Sequence, residues 1–345
     1  MTLQTDASIG IKKETTYGTA VTVTRWLEYL DSSLTQDNKY VQGKGLRVSK
    51  IVDRQARRTL AQVDVKGDIK FEACSSGLGP FFEAMLGSAT STNRSGAIYQ
   101  QNYVPATTDP MPSYTIQAGL PPIGGGSTLA HTYDGCVCDK WTISADTGTG
   151  IVQVATSWKG KELVTATSYA APSYAAAPEL FTFVQGAVSL GVLGTNAFTA
   201  PTTTALATIG SAATPANITK FTLNGDNGTD DGGRVFGSAG KRGRCPVYGM
   251  RSFTGEFVVE FTDNTWRDYY LNQTALCAIV TFTAPAVGTV TPQLSIAIPA
   301  FTLEGDVPSD NAGKVVTTNV KFTVLDGEVA ASPLYISMVT ADTAI

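Results

Sequence analysis

Apolar and polar residues alternate over short stretches along most of this chain, and turn-forming residues separate the stretches. Ala20-Val21-Thr22-Val23-Thr24-Arg25-Trp26-Leu27, Ser113-Tyr114-Thr115-Ile116-Gln117 and Ile218-Thr219-Lys220-Phe221-Thr222-Leu223 read as half-buried strands, as do residues 136–144, 151–158, 278–283, 294–303, 314–325 and 334–340. The glycine-bearing residues 146–150 predict a hairpin turn between two of them. One pattern occurs twice. Gly67-Asp68-Ile69-Lys70-Phe71-Glu72 followed by Leu78, Phe81 and Phe82 returns 188 residues later as Gly255-Glu256-Phe257-Val258-Val259-Glu260 followed by Trp266, Tyr269 and Tyr270. In both, a period-two strand gives way to an i, i+3, i+4 helical stripe. In the first copy Met85 and Leu86 extend the stripe before Gly87 stops the helix. The expected fold is all-β: an antiparallel β-sandwich or barrel with one or two short helices, long loops and an N-terminal arm, the strand-helix unit occurring twice around a pseudo-two-fold. Residues 1–62 read as the arm and an extended segment. Residues 63–345 read as the sandwich domain, with a Thr/Ala-rich surface insertion at 195–217 and a long glycine loop at 224–250.

Composition fits a folded structural unit. At 345 residues the chain is long enough to bury a large core without staples, and charged residues make up only 16%. A net charge of −4 argues against tight nonspecific nucleic-acid binding. The first fourteen residues have no apolar core of a leader, and no run approaches a membrane span. Five scattered cysteines suggest reduced thiols and synthesis in a cytosol.

Candidate chemistry fails on inspection. His131 is the only histidine, so a histidine relay or zinc site would rest on one residue. Cys136 and Cys138 have no second pair to complete a tetrahedral set. Gly237-Ser238-Ala239-Gly240-Lys241-Arg242 approaches a phosphate loop, but Val235 stands at its first glycine and Arg242 at its Ser/Thr position. Asp226, Asp230 and Asp231 miss the EF-hand pattern, with Gly228 and Gly237 at ligand positions. Asp68 with Glu72, and Glu256 with Glu260, lie four residues apart on a strand, roughly 13 Å, too far for paired-carboxylate glycoside hydrolysis. No enzyme, cofactor or metal is expected.

Charge is unevenly placed. Residues 39–58 carry Lys39, Lys44, Arg47, Lys50, Arg54, Arg57 and Arg58 against Asp53, a net of +6, whereas residues 301–345 carry a net of −4. A basic front and an acidic rear suit head-to-tail association of copies, with residues 39–58 reaching a neighbouring subunit. The loop 224–250 runs through glycines and aspartates to Lys241, Arg242 and Arg244, so a mobile loop with a basic tip that orders on contact with another copy is expected. Asp68, Glu72, Glu256 and Glu260 must face away from the core if Ile69, Phe71, Phe257 and Val259 face into it. They are therefore the candidates for a carboxylate-bearing outer face of the sheet.

The opening Gly10-Ile11-Lys12-Lys13-Glu14-Thr15-Thr16-Tyr17-Gly18-Thr19-Ala20-Val21, with Arg25-Trp26-Leu27, resembles the start of tail tube (major tail) proteins of long-tailed bacteriophages. Gly43-Lys44-Gly45-Leu46-Arg47, the first strand-helix unit, the block His131-Thr132-Tyr133-Asp134-Gly135-Cys136, residues 218–227, and Gly305-Asp306-Val307-Pro308 through Pro333-Leu334-Tyr335-Ile336 continue the resemblance in order. It implies a non-enzymatic virion protein, made and assembled in the host cytoplasm. Its β-sandwich subunits would form hexameric rings whose strands join into one inner barrel, and the rings would stack into a tube through which the genome leaves. On that implication Asp68, Glu72, Glu256 and Glu260 are the candidates to line the channel, and the loop bearing Lys241, Arg242 and Arg244 is the expected contact between rings. Tape measure, tail terminator and baseplate or tip proteins are the implied partners; DNA would pass without specific binding, and no membrane is involved. Other self-assembling β-proteins, a capsid decoration protein or a carbohydrate-binding sandwich, are the alternative reading.

Overall fold

The computed structural model describes residues 3–175, 178–214, 217–305, 307 and 315–345. Eight antiparallel strands, labelled in chain order, form one wall: β1 (Thr35–Gln42), β2 (Arg58–Glu72), β3 (Leu129–Asp146), β4 (Gln153–Gly160), β5 (Ile218–Asp226), β6 (Ser252–Glu260), β7 (Gln293–Glu304) and β8 (Thr317–Val324). Their spatial order is β1–β2–β4–β3–β5–β6–β8–β7. The strand β3 is long enough to serve two sheets. Its first half pairs with Tyr114–Leu120 and Glu162–Val164, and Ser8–Lys13 and Arg25–Leu27 continue that second layer. At the far end β7 also pairs with Leu276–Thr283 and Tyr335–Thr340.

Alternation sets which face is buried. On β6, Phe253, Gly255, Phe257 and Val259 point into the core, while Thr254, Glu256, Val258 and Glu260 point away. Gly255 is required by a close approach: a Cβ there would lie 2.2 Å from the Phe322 ring. The expected strand-helix unit is present twice. The first ends β2 at Glu72 and continues to α1 (Gly79–Leu86); the second ends β6 at Glu260 and continues to α2 (Thr265–Leu271). Each copy has its own aromatic cluster. Phe71, Phe81, Trp158 and Tyr114 form the first, with Phe71 and Phe81 centroids 4.7 Å apart, and Phe257, Phe322 and Phe301 form the second. The environments of the two helices differ. All residues of α1 are buried and none of α2 is.

The segment expected as an arm, 1–62, is divided by the structure. Ser8–Lys13 is a sheet strand whose Ile9 and Ile11 belong to the core, and only the hairpin that begins at Thr35 projects. Within 195–217, Phe198–Thr199 pairs with Thr208–Ile209, and Ala207 packs with Ile279, Ala297 and Tyr335 on the outer face of the sheet. The Gln100 amide donates to the Thr202 and Ala205 carbonyls there (2.9 and 3.0 Å), so this segment covers a sheet face.

Candidate assembly interface

The basic residues 39–58 fall on the distal half of the β1–β2 hairpin and its tip. Pairing runs from Thr35 opposite Lys66 to Gln42 opposite Arg58, about 25 Å of ladder at a strand's rise. Residues 37–41 and 58–61 are exposed on both faces. At the tip, Gly43 N–H donates to the Arg57 carbonyl (2.9 Å), Gln42 Nε2 donates to the Arg54 carbonyl (2.9 Å) and Lys44 pairs with Asp53 (2.7 Å). The Arg58 guanidinium lies 4.7 Å from the Tyr40 ring centroid. Charge is only half of the tip's chemistry. Leu46, Val48, Ile51 and Val52 are almost wholly exposed among Lys44, Arg47 and Lys50. Their full burial would contribute at most about 6–12 kcal/mol, before the cost of association. These four aliphatics stand between the basic residues in the sequence, where a count of charges does not register them.

The loop after β5 does not have the free basic tip expected of 224–250. Lys241 pairs with Glu162, Arg244 pairs with Asp230, and the Arg242 side chain is wholly buried between Asp64 (3.0 Å) and Asp231 (2.8 Å). The Arg234 Nη2 donates to Asp64 and to the Val63 carbonyl (both 3.1 Å), and the Gly240 carbonyl accepts from Val63 N–H (2.9 Å). The loop therefore clamps the base of the arm. The compensating carboxylates Asp64 and Glu162 are remote in sequence, and Asn227, Cys245 and half-buried Tyr248 pack the loop against the domain. The acidic rear is not one patch either. Asp342 accepts from Gly77 N–H (2.6 Å), Glu304 and Asp326 are about 17 Å apart by strand rise, and Asp306 and Asp310 lie outside the described residues.

All four channel candidates lie on the same outward face of the wall. One cross-strand row reads Glu72, Gln153, Ser144, Thr222, Glu256, Lys321 and Glu304, each opposite the next. The adjacent row reads Lys70, Ala155, Thr142, Asn224, Thr254, Thr323 and Thr302. Asp68 accepts from the Ser157 hydroxyl (2.5 Å), and Glu260 stands opposite Thr317. Lys66, Lys70, Lys140, Lys220 and Lys321 share the face, and Lys140 pairs with Asp226 (2.8 Å). The wall is thus mixed in sign and rich in short hydroxyls.

The N-terminal block owes its spacing to Glu14. Its carboxylate accepts from the Ser113 and Thr115 hydroxyls (2.7 and 2.9 Å) and from the Gly18 and Gly135 amides (both 2.9 Å). Beside it Asp134 is buried with Lys161 at 3.9 Å. Burial pushes its carboxyl up to about 6; Lys161 opposes this, and Glu162 and Glu14 add to it. The folded state holds that proton more tightly than the unfolded chain, so Asp134's contribution is fully present below about pH 4. It is lost as pH rises through about 6. Asp134→Asn should therefore raise the thermal midpoint at pH 8 and leave it unchanged at pH 3.5; the opposite ordering would contradict the assignment.

An antiparallel sheet with a largely polar outer face, an edge strand paired on one side among the described residues and a projecting arm is the build of a subunit that joins copies of itself. Residues 4–324 match the family model described as phage tail tube protein, and the chain belongs to that family. It is a structural component of the phage virion that assembles into a multi-subunit tube. No curated protein sequence matches the chain. Among the described residues no helix is long and apolar enough to cross a membrane.

Proposed function

We propose that the chain forms closed rings with six-fold repetition of its sheet, stacked into a conduit for the genome, with the β1–β8 wall facing the lumen. The six-subunit ring implied by the resemblance is one way to make that repetition. The observation that carries the reading is the largely polar outer face of the wall, which ends in an edge strand, β1, paired only with β2 among the described residues. Ring closure satisfies such edges, which are otherwise sites of uncontrolled pairing. Along the axis the contact is heterologous and does not close on itself, and the exposed tip of the arm, residues 43–57, supplies it. A wall of hydroxyls and interleaved charges suits passage, because DNA carries one phosphate charge per ~1.7 Å and a continuous cationic lining would hold it. Tape measure, terminator and baseplate or tip proteins are the partners this role calls for, and the host cytoplasm is the place of assembly. The protein acts by assembly and not by catalysis.

Glu256 and Glu260 share their strand with no lysine, whereas Lys66 and Lys70 share the outward face of the strand that carries Asp68 and Glu72. Glu256→Lys with Glu260→Lys should leave tubes intact and slow DNA ejection from assembled particles. Ejection at the wild-type rate from particles carrying both changes would refute the lumen assignment.

A further inference from the structure

The duplication extends beyond the strand-helix unit. Leu34-Thr35-Gln36-Asp37-Asn38 returns as Leu223-Asn224-Gly225-Asp226-Asn227, with leucine, aspartate and asparagine identical. The registers agree. Asp37 stands opposite Asp64 as Asp226 stands opposite Ser252, and Thr35 opposite Lys66 as Asn224 opposite Thr254. The hairpin β1–β2 and the hairpin β5–β6 are therefore the same element in two copies, and each leads through its helix to a further strand, Gly87–Ser95 or Leu276–Thr283.

The structure also holds the joint between the two copies. The strand β5 pairs with β3 from Lys220 opposite Asp146 to Asp226 opposite Lys140. Asn227, fully buried, locks it: its backbone N–H donates to the Asp139 carbonyl (2.9 Å), and its Nδ2 donates to the Cys138 and Met85 carbonyls (both 3.0 Å). Arg251 donates to the Leu86 carbonyl (3.0 Å), so the second hairpin sits on the end of α1.

Every part of that joint has an unfilled counterpart. Among the described residues β1 pairs only with β2, and Asn38, the counterpart of buried Asn227, is exposed. The strand β7 plays the part of β3. Up to Phe301 one side of it pairs with Leu276–Thr283, as the first half of β3 pairs with Tyr114–Leu120, but among the described residues Thr302–Glu304 are paired only on the β8 side. Leu271 at the end of α2 is exposed, whereas the corresponding turn of α1 is buried under the second hairpin.

We propose that the internal joint is repeated between copies: the β1–β2 hairpin of one chain docks on the next chain's β7 edge and α2 end, with Asn38 as the locking residue. This rests on the ring reading above and adds a stoichiometry. Each chain fills two of six places, so three chains close a ring. Geometry agrees. Eight wall strands per chain give about 24 strands for three chains, a wall about 48 Å across at ~4.8 Å spacing and ~40° tilt; six chains would give about 96 Å, far wider than one duplex needs.

The number of chains per ring, read by electron cryomicroscopy of tubes of the full chain, tests this directly. Three chains related by a three-fold axis are expected. Six would overturn the inference and leave the tube reading standing; failure to form rings or tubes at any concentration would overturn both. A paired substitution tests the locking residue. Asn38→Ala should leave the monomer's thermal midpoint unchanged and raise the critical concentration for assembly about tenfold, whereas Asn227→Ala should lower the midpoint. Asn38→Ala assembling like wild type would remove Asn38 from the joint.

Discussion

Replacing residues 43–57 by an Asn-Gly turn, so that Gln42 and Arg58 close the hairpin directly, should leave the subunit folded and abolish tubes. The excised side chains are exposed apart from half-buried Arg54, and the ion pair lost, Lys44–Asp53, lies within the loop itself, so the thermal midpoint of the monomer should barely move. What disappears is the burial of Leu46, Val48, Ile51 and Val52 against another subunit, at most about 6–12 kcal/mol, with the arm's basic charges. The two contributions separate by salt. A Lys44, Arg47 and Lys50 to alanine variant should assemble more weakly mainly at low ionic strength, because exposed charges are screened within ~8 Å at physiological salt. Leu46→Glu with Ile51→Glu should fail at every salt concentration. Normal polymerisation by the tip-deleted chain would remove the arm from the assembly mechanism.

Arg242→Ala should destabilise the folded subunit by about 3 kcal/mol in chemical denaturation. The guanidinium is buried between Asp64 and Asp231, and its removal strands the Asp64 carboxylate in a site that is 10% exposed. Arg234 still reaches Asp64, which keeps the cost at the lower end of what breaking a buried pair brings. Arg242→Met fills the space without the charge and should cost no less, since the same carboxylate remains. Replacing Asp64 by Asn in the Met variant should recover part of the loss. The cluster sits where the loop meets β2, so Arg242→Ala should also loosen the arm's base, read as faster amide exchange at Val63. Unchanged stability would show that the loop does not clamp the arm.

The strand-helix unit was legible because its period changes from two to 3.6 within a few residues, and few other folds impose that on one short stretch. The outward placement of Asp68, Glu72, Glu256 and Glu260 followed from the same alternation, once Ile69, Phe71, Phe257 and Val259 were taken as core. The joint between the two copies was not legible. Its hairpins match at only a few positions, and the loops between the hairpin strands differ in length, so the offset slips by one residue. The buttress of the arm escaped for a different reason. Asp64, Glu162 and Arg242 are brought together by strand pairing across nearly 180 residues, which charge counting along the chain cannot see. Charge counting also favoured the basic residues of the arm over the aliphatics between them, and it treated the acidic C-terminal residues as one surface although Asp342 is spent on a turn at Gly77.

Electron microscopy of the purified, concentrated chain tests the central claim most directly. A tube subunit with an open sheet edge and an exposed apolar arm should give rings or hollow tubes of one constant diameter, in proportions that rise with protein concentration. A preparation that stays monomeric at every concentration and salt, with no ring or tube in any field, would contradict the account.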